Sequence, residues 1–267
     1  MTMTRYKFHV SYDGSRFSGF QVQTHERTVQ GEIEKALQQI SKGRFIRIHG
    51  AGRTDAGVHA KGQVIHFDFP NALPPESMQR ALNTLVPKDI VLFNPEIVTA
   101  DFHSQYSALH KTYEFHVYNH ELRNPFLWNY SIQHPYPMNL EAVEKALSLL
   151  VGTHDFTSFS SAKTDKVNKV RTLYEASVKV DEQTNMWVFT FCGDGFLYHM
   201  IRIIIGTLLP IADGRRNPEE ITEMLAAKDR QSAGMTAYSN GLCLMEVSYE
   251  PYEKKDTIKK KDFFKKH

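Results

Sequence analysis

The sequence predicts an α+β fold built from two similar halves. Short runs in which apolar and polar residues alternate indicate strands, and longer runs with apolar residues every three or four positions indicate helices. These runs follow the order β-α-β-β-α-β, and the same order then repeats once along the chain. This order is typical of the ferredoxin-like arrangement. We therefore expect two ferredoxin-like halves in a pseudo-twofold arrangement, with a central cleft between them.

The first half is predicted to span residues 1–105. Its strands are expected at 6–12, 44–48, 63–69 and 90–98. Its helices are expected at 29–40 and 75–85, where the apolar spacing changes from two residues to three or four. The connection between the second and third strands is much longer than a hairpin turn, and long ordered connections are usually functional.

The second half is predicted to span residues 106–252 and to repeat the pattern. Its strands are expected at 112–118, 170–180, 187–192 and 242–249, and its helices at 140–151 and 198–209. A further short helix at 218–227 precedes the last strand. No low-complexity linker separates the halves, so we expect them to pack tightly.

The last 15 residues, 253–267, form a basic segment with seven lysines and three acidic residues. A charge run of this kind is typical of a solvated, flexible tail. The whole chain has a net charge of only +2, so the remaining body is slightly acidic. A nucleic-acid surface on that body would have to be a local patch of positive charge.

The composition argues against a membrane, a metal or a disulfide framework. The most apolar run, 196–212, is short and contains Arg202, Gly206 and Pro210, which a membrane span disfavours. The two cysteines, Cys192 and Cys243, match no metal motif, and the N-terminus has no apolar signal region. We expect a cytoplasmic protein with no metal and no cofactor, because no nucleotide-binding motif is present either.

The long connection at 49–60 contains the most informative carboxylate of the chain. Three glycines, at 50, 52 and 57, permit sharp turns or close approach to a ligand, and Asp55 lies between them with Arg53 two residues earlier. Two interpretations are open. Asp55 is either a reactive carboxylate on a rigid loop or a turn residue that bonds its own backbone.

Arg202 lies in a predicted helix that is apolar nearly all round, so the helix is expected to be buried. A buried guanidinium needs a carboxylate partner. Asp55 is a candidate for that partner across the cleft. Asp194 and Asp213 are alternatives that lie closer in the sequence.

Two further segments have both a structural and a functional interpretation. Tyr113 shares a strand face with Phe115 and is either a core tyrosine or part of the cleft wall, where it would stack on a base. The segment 12–21 combines glycines and aromatics with Arg16. It is either an ordinary packed turn or a loop that contacts RNA.

Several motifs together resemble the tRNA pseudouridine synthase A family. They are YDGSRFSGFQ at 12–21, GAGRTDAGVHA at 50–60, GQVIHF at 62–67 and GDGFLYHMIRIIIGTLL at 193–209. The resemblance extends from about residue 6 to residue 249. It implies the pseudouridine synthase fold and isomerisation of uridine to pseudouridine at tRNA positions 38, 39 and 40 in the anticodon stem-loop, after the target base is flipped out. It also implies a homodimer.

The resemblance also implies roles for individual residues. Asp55 would be the nucleophile, Arg202 its ion-pair partner, and Tyr113 the residue that stacks on the uridine and assists proton transfer. The family often has Tyr-x-Tyr where this chain has Tyr113-Glu114-Phe115. The expected substrate contacts are Tyr113, Arg53, Arg16, Phe17, Gln21 and His59.

Two other functional classes are compatible with parts of the sequence. One is a catalytically silent RNA-binding protein, because ferredoxin-like halves share the topology of RNA-recognition domains. It would leave the buried arginine without a purpose. The other is a carboxylate-dependent hydrolase of nucleosides or sugars. That class normally uses a second carboxylate, and the loop at 49–60 has none.

Overall fold

The computed structural model describes residues 3–164 and 166–253, and in these ranges ten strands and five α-helices form a mixed α+β fold. The strands are β1 (Met3–Tyr12), β2 (His49–Gly50), β3 (His59–Pro70), β4 (Ile90–Val98), β5 (His110–Tyr118), β6 (Ile132–Gln133), β7 (Gly152–Asp155), β8 (Val170–Asp181), β9 (Met186–Gly193) and β10 (Leu242–Ser248). The helices are α1 (Val29–Ile40), α2 (Pro75–Leu85), α3 (Leu140–Ser148), α4 (Met200–Ala212) and α5 (Glu220–Ala227). The predicted α+β fold class is confirmed.

One continuous sheet runs through both halves, in the order β4-β1-β3-β10-β5-β9-β8-β7, with β2 added to β3 and β6 to β5. In the predicted first half β4 lies beside β1, and β1 lies beside β3. In the predicted second half β10 lies beside β5, and β5 lies beside β9. The predicted halves are joined where β10 pairs in parallel with β3, with Cys243 opposite His59 and Leu244 opposite Ala60. The sheet crosses the predicted boundary near residue 105 without a break, and the division into halves at that residue stays a prediction.

The predicted strand at 44–48 is wrong. Within residues 44–50, the ones that pair with β3 are His49 and Gly50, and both lie in the connection that the sequence suggested was a loop. Ile46 and Ile48 are buried, but the N–H of Ile48 donates to a carboxylate oxygen of Glu34 on α1 at 3.1 Å. The alternating pattern in this segment therefore reflects packing beside α1 and not membership of the sheet.

Other differences lie at the ends of elements. Strand β3 begins at His59, four residues before the predicted start, and α4 begins at Met200 because His199 adopts a left-handed conformation with φ of 63°. Strand β7 was not predicted from the sequence. No described helix is long and apolar enough to span a membrane. Of the predicted basic tail, only Glu253 lies within the described residues.

The helices expected from the sequence bury the faces that their spacing predicted. Helix α1 is capped by Thr28, whose side chain accepts a hydrogen bond from the N–H of Gly31, and it buries Ile33 and Leu37. Helix α4 buries nine of its 13 residues, and Arg202 near its start is only partly buried. This burial holds the first turn of α4 in place at the cleft.

Candidate active site

The loop at 51–58 is fixed to the neighbouring strands by backbone and side-chain hydrogen bonds. The N–H of Ala51 donates to the carbonyl of Val64 at 2.8 Å, and Nε2 of Gln63 donates to the carbonyl of Gly52 at 2.9 Å. The hydroxyl of Thr54 forms a buried 2.8 Å hydrogen bond with that of Tyr12. The residues on both sides of Asp55 are therefore held before any substrate binds.

The segment at 14–20 packs so closely against this loop that two of its positions require glycine. A Cβ at Gly14 would lie 2.0 Å from the carbonyl oxygen of Val58. A Cβ at Gly19, where φ is +98°, would lie 2.8 Å from the carbonyl oxygen of Thr54. The N–H of Phe20 also donates to that Thr54 oxygen, at 3.1 Å. The motif at 12–21 is thus a support for the loop that carries Asp55.

Asp55 and Arg202 form the ion pair at the centre of the cleft. Nη1 of Arg202 donates to Oδ2 of Asp55 at 3.0 Å, and Nε of Arg202 donates to the carbonyl of Ala237 at 2.8 Å. The backbone carbonyl of Asp55 accepts the turn hydrogen bond from the N–H of Val58, so the carboxylate is directed elsewhere. The loop therefore turns at Asp55 through a backbone hydrogen bond, and the Asp55 carboxylate bonds Arg202 where the turn interpretation had it bonding its own backbone.

The two alternative partners of Arg202 are engaged elsewhere. Asp194 accepts a hydrogen bond from the N–H of Thr172 at 3.0 Å. Asp213 pairs with Arg215 at 2.6 Å, which together with other contacts lowers the pKa of the Asp213 carboxyl. Of the three candidate acids, Asp55 is the one that the structure brings to Arg202.

Tyr113 lies in the wall of the cleft on β5 and is only 8% exposed. Its ring meets that of Phe196 edge to face, with 5.1 Å between centroids. Burial raises the pKa of the Tyr113 hydroxyl, and the nearby Tyr12 and Asp55 raise it further. The hydroxyl is therefore protonated at neutral pH, and both sequence interpretations, core packing and cleft wall, apply to this residue.

The cleft has a volume of approximately 1180 Å³ and a cationic lining. Among residues 3–164 and 166–253, two acids, Glu26 and Asp55, line it. The basic lining residues in the same ranges are Arg47, Arg53, Lys111, Lys163, Lys166 and Arg202. The described lining of this cleft thus has more cations than acids, although the net charge of the chain is only +2, and an excess of positive charge suits a polyanionic ligand.

Comparisons with known proteins agree with this geometry. A model of the family described as tRNA pseudouridine synthase matches residues 9–107 and 146–250. The tRNA pseudouridine synthase A proteins of Streptococcus pyogenes serotype M49 (strain NZ131) and serotype M1 are each 51% identical over 248 residues. These alignments cover 93% of this chain and all of each relative. This chain belongs to the tRNA pseudouridine synthase family.

The sequence prediction of this family is confirmed. Among solved structures, a chain of a Cbf5-Nop10-Gar1 complex aligns over 89% of this chain and 57% of that chain, at 10% identity and a TM-score of 0.36. That likeness is too low to support an argument about the site. The assignment depends on the family match and on the S. pyogenes relatives.

The expected substrate contacts of this tRNA pseudouridine synthase family member separate into two groups. Arg53 and Gln21 are exposed and line the cleft with Tyr113. Arg16 is exposed but does not line the cleft, and neither do Phe17 and His59, which are buried. Contact of any of them with RNA stays a prediction.

Phe17 and His59 have structural contacts that account for their burial. The guanidinium of Arg27 lies 4.1 Å from the centroid of the Phe17 ring. Nδ1 of His59 accepts from the N–H of Gly14 at 3.0 Å, and its Nε2 lies 2.7 Å from the carbonyl of Asn129. His59 therefore joins the 12–21 segment to the segment around residue 129.

His199 is a site residue that sequence reasoning missed. Its Nε2 lies 3.4 Å from Oδ2 of Asp55, the oxygen that also accepts from Arg202. Burial lowers the pKa of His199, and Arg202, Arg230 and Lys163 lower it further, although Asp55 opposes them. The imidazole is therefore neutral at pH 7. The helical periodicity did not mark it, because His199 precedes α4 and has a left-handed backbone conformation.

Within residues 3–164 and 166–253, no group of three or more His, Cys, Asp and Glu side chains is arranged to hold a metal ion. Lys111 lines the cleft, and burial together with Arg171 lowers its pKa. The groups that line the cleft thus include the Asp55 carboxylate, the neutral His199 imidazole, the protonated Tyr113 phenol and several cations.

Proposed function

We propose that this chain isomerises uridine to pseudouridine at positions 38, 39 and 40 in the anticodon stem-loop of tRNAs. The observation that carries the proposal is the Asp55 carboxylate held 3.0 Å from Arg202 in a cationic cleft. The relatives that are 51% identical bear the name tRNA pseudouridine synthase A. That name supports tRNA as the substrate.

The reaction exchanges one glycosidic bond for another without a change of oxidation state. The bond from N1 of uracil to C1′ of the ribose breaks, and a bond from C5 to C1′ forms. The proton on C5 leaves, and N1 gains one, so that product and substrate have the same composition. The site must therefore stabilise a detached base, a reactive ribose carbon and one proton transfer.

Asp55 is assigned as the nucleophile of this reaction. Three modes of action are open: attack on the ribose, attack on the base, or stabilisation of a cationic sugar. Arg202 orients the carboxylate, because its Nη1 donates to Oδ2 of Asp55 at 3.0 Å. Nε2 of His199 lies 3.4 Å from the same carboxylate oxygen and further restricts the position of the Asp55 side chain.

Arg53 and Tyr113 are assigned to the flipped nucleotide. A uridine stacked in the stem-loop cannot reach Asp55, so it must leave the stack first. Arg53 is exposed two residues from Asp55, where it fills the vacated space or holds a phosphate. Tyr113 stacks on the uracil, and its hydroxyl assists removal of the C5 proton.

A homodimer and a cytoplasmic location complete the proposal. The homodimer follows from the family resemblance, in which one tRNA spans both subunits. Light scattering coupled to size exclusion tests it. A mass of one chain without tRNA, and of one chain plus one tRNA with it, would contradict the homodimer.

Release of tritium from tRNA labelled at C5 of uridine tests the reaction. The wild-type protein is expected to release tritium without free uracil. Asp55→Asn is expected to release none and to bind tRNA with nearly unchanged affinity. Asp101→Asn is the control, because Asp101 is exposed and lies outside the cleft lining.

Each alternative function has its own outcome in this assay. A silent RNA-binding protein would bind tRNA and release no tritium, and a hydrolase would produce free uracil. Tritium release by Asp55→Asn at the wild-type rate would overturn the assignment of the nucleophile.

A further inference from the structure

Tyr106 is an exposed aromatic residue in the cleft lining that the proposed reaction does not use. Tyr106 is 79% exposed, whereas Tyr113, which also lines the cleft, is 8% exposed. An exposed tyrosine buries little apolar surface and contributes little to folding. Its position at the mouth of the cleft therefore calls for another explanation.

The Tyr106 ring is the outer member of a cluster of aromatic rings. It stacks on His103, with 4.3 Å between centroids and 29° between planes. His103 meets His66 edge to face, with 4.6 Å between centroids and 66° between planes, and His66 stacks on His49 at 4.9 Å. One face of the Tyr106 ring is thus supported by His103, which itself packs against His66 on β3.

The turn that carries Tyr106 is fixed by hydrogen bonds. Nδ1 of His103 accepts from the backbone N–H groups of Gln105 and Tyr106, at 3.1 and 3.3 Å. The N–H of Ser104 donates to Nδ1 of His66 at 3.1 Å, and its hydroxyl donates to the carbonyl of His49 at 2.8 Å. The backbone on both sides of the ring is therefore ordered in the absence of a ligand, which lowers the entropy cost of binding.

The surroundings of Tyr106 determine the chemical class of ligand. The cleft lining is cationic through residues such as Arg47 and Lys166. The His103 ring beneath Tyr106 is neutral at pH 7, because burial and the nearby His49 and Arg5 lower its pKa. A rigid neutral aromatic face in a cationic groove matches a base together with its phosphate, which is how single-stranded nucleic acids are bound.

We infer that Tyr106 is a stacking platform for an unpaired nucleobase of the bound RNA, in the same cleft as the Asp55 carboxylate that acts on the target uridine. The inference depends on the proposed function, since it takes an RNA loop as the ligand. The base that stacks here is a neighbour of the target, and the stack holds the loop open while the uridine is at Asp55.

Fluorescence of anticodon stem-loop RNAs with 2-aminopurine at one unpaired loop position at a time tests the inference. Binding of the wild-type protein is expected to quench 2-aminopurine at one position in the loop. Tyr106→Ala is expected to abolish that quenching and to weaken binding about 5- to 150-fold, the range that corresponds to loss of one base–aromatic stack. Tyr106→Phe keeps the ring and is expected to bind as the wild type does.

Phe126→Ala is the matched control, because Phe126 is 86% exposed and lies outside the cleft lining. It is expected to leave quenching and affinity unchanged. Thermal unfolding of all variants checks the fold, and Tyr106→Ala is expected to unfold at the wild-type temperature since the side chain is exposed.

The inference would be overturned if Tyr106→Ala bound and quenched as the wild type does, or if Tyr106→Phe were as impaired as Tyr106→Ala. Failure of the proposed function is a separate result. In that case the wild-type protein releases no tritium from labelled tRNA, whereas the binding and quenching measurements can still be made.

Discussion

The Asp55 carboxylate and the Arg202 guanidinium are separated by 147 residues of sequence and by 3.0 Å in space. Arg202 donates in two directions, from Nη1 to Asp55 and from Nε to the carbonyl of Ala237. A planar group held at two edges cannot rotate freely, so the direction of its N–H toward Asp55 is fixed. The pair therefore joins the loop before β3 to the first turn of α4 in one defined geometry.

Arg202→Lys is expected to lower kcat about 100-fold or more while tRNA affinity changes little. A lysine retains the charge but has one flexible ammonium group, which cannot hold the geometry of both acceptors. Misplacement of a reacting group by about 1 Å can cost this much. Single-turnover tritium release and filter binding measure the two quantities.

Arg215→Lys is the matched control for that substitution, because Arg215 also binds a carboxylate through two nitrogens, on Asp213 outside the cleft lining. It is expected to keep wild-type activity. If Arg202→Lys retained kcat within twofold, the charge of residue 202 would suffice and its planar geometry would have no role.

Tyr113→Phe tests the contribution of the phenol separately from that of the ring. The ring and its edge-to-face contact with Phe196 remain, so uracil stacking and tRNA affinity are expected to persist. Loss of a group that assists proton transfer lowers rates about 10²- to 10⁴-fold. Rapid-quench measurement of tritium release is expected to show this loss, and Tyr174→Phe, outside the cleft lining, is expected to show none. An unchanged rate in Tyr113→Phe would assign the proton to another group.

The periodicity of the sequence was sufficient to predict the fold class, because most elements bury one face. Helices α1 and α2 and strand β4 have the predicted bounds. The segment 44–48 shows where this reasoning fails. Its apolar residues are buried as the alternation predicted, but periodicity alone does not specify whether the neighbour is a strand or, as here, Glu34 of α1.

The centre of the site was also accessible from the sequence, because an arginine in an apolar helix requires an acid. The choice among Asp55, Asp194 and Asp213 required the tertiary structure. His199 was missed because its left-handed backbone conformation and its distance to Asp55 are not encoded in a periodic pattern. Motif membership was a poor guide to exposure, since His59 lies in the same motif as Asp55 and is buried.

Gly19→Ala is expected to lower activity more than its effect on stability accounts for. Gly19 and Gly43 have nearly the same φ, +98° and +97°, so alanine imposes similar backbone strain at both, about 1–3 kcal/mol. A Cβ at Gly19 would displace Thr54, the residue before Asp55, whereas a Cβ at Gly43 meets nothing within 4 Å. Urea unfolding and tritium release on both variants compare the effects. Equal activity in the two variants would show that the loop tolerates the displacement.

The stability of the His49–His66–His103 cluster is expected to depend on pH through His66. Burial, with the nearby His103, His49 and Arg5, lowers the pKa of His66 from 6.5 to about 4. Between about pH 4 and pH 6.5, the unfolded chain therefore carries a proton on this residue and the folded protein does not. The contribution of neutral His66 to the free energy of unfolding is fully present above pH 6.5. It decreases as the pH falls below 6.5 and is lost below about pH 4.

Urea unfolding at pH 7 and pH 5 measures this dependence. Between these pH values, the free energy of unfolding of the wild type is expected to fall by about 2 kcal/mol more than that of His66→Asn. Asparagine is chosen because its side-chain oxygen can replace Nδ1 as the acceptor for the N–H of Ser104. His25→Asn, at an exposed position, is expected to keep the wild-type dependence. If His66→Asn and the wild type lost the same free energy between pH 7 and pH 5, the buried imidazole would not be the group that titrates.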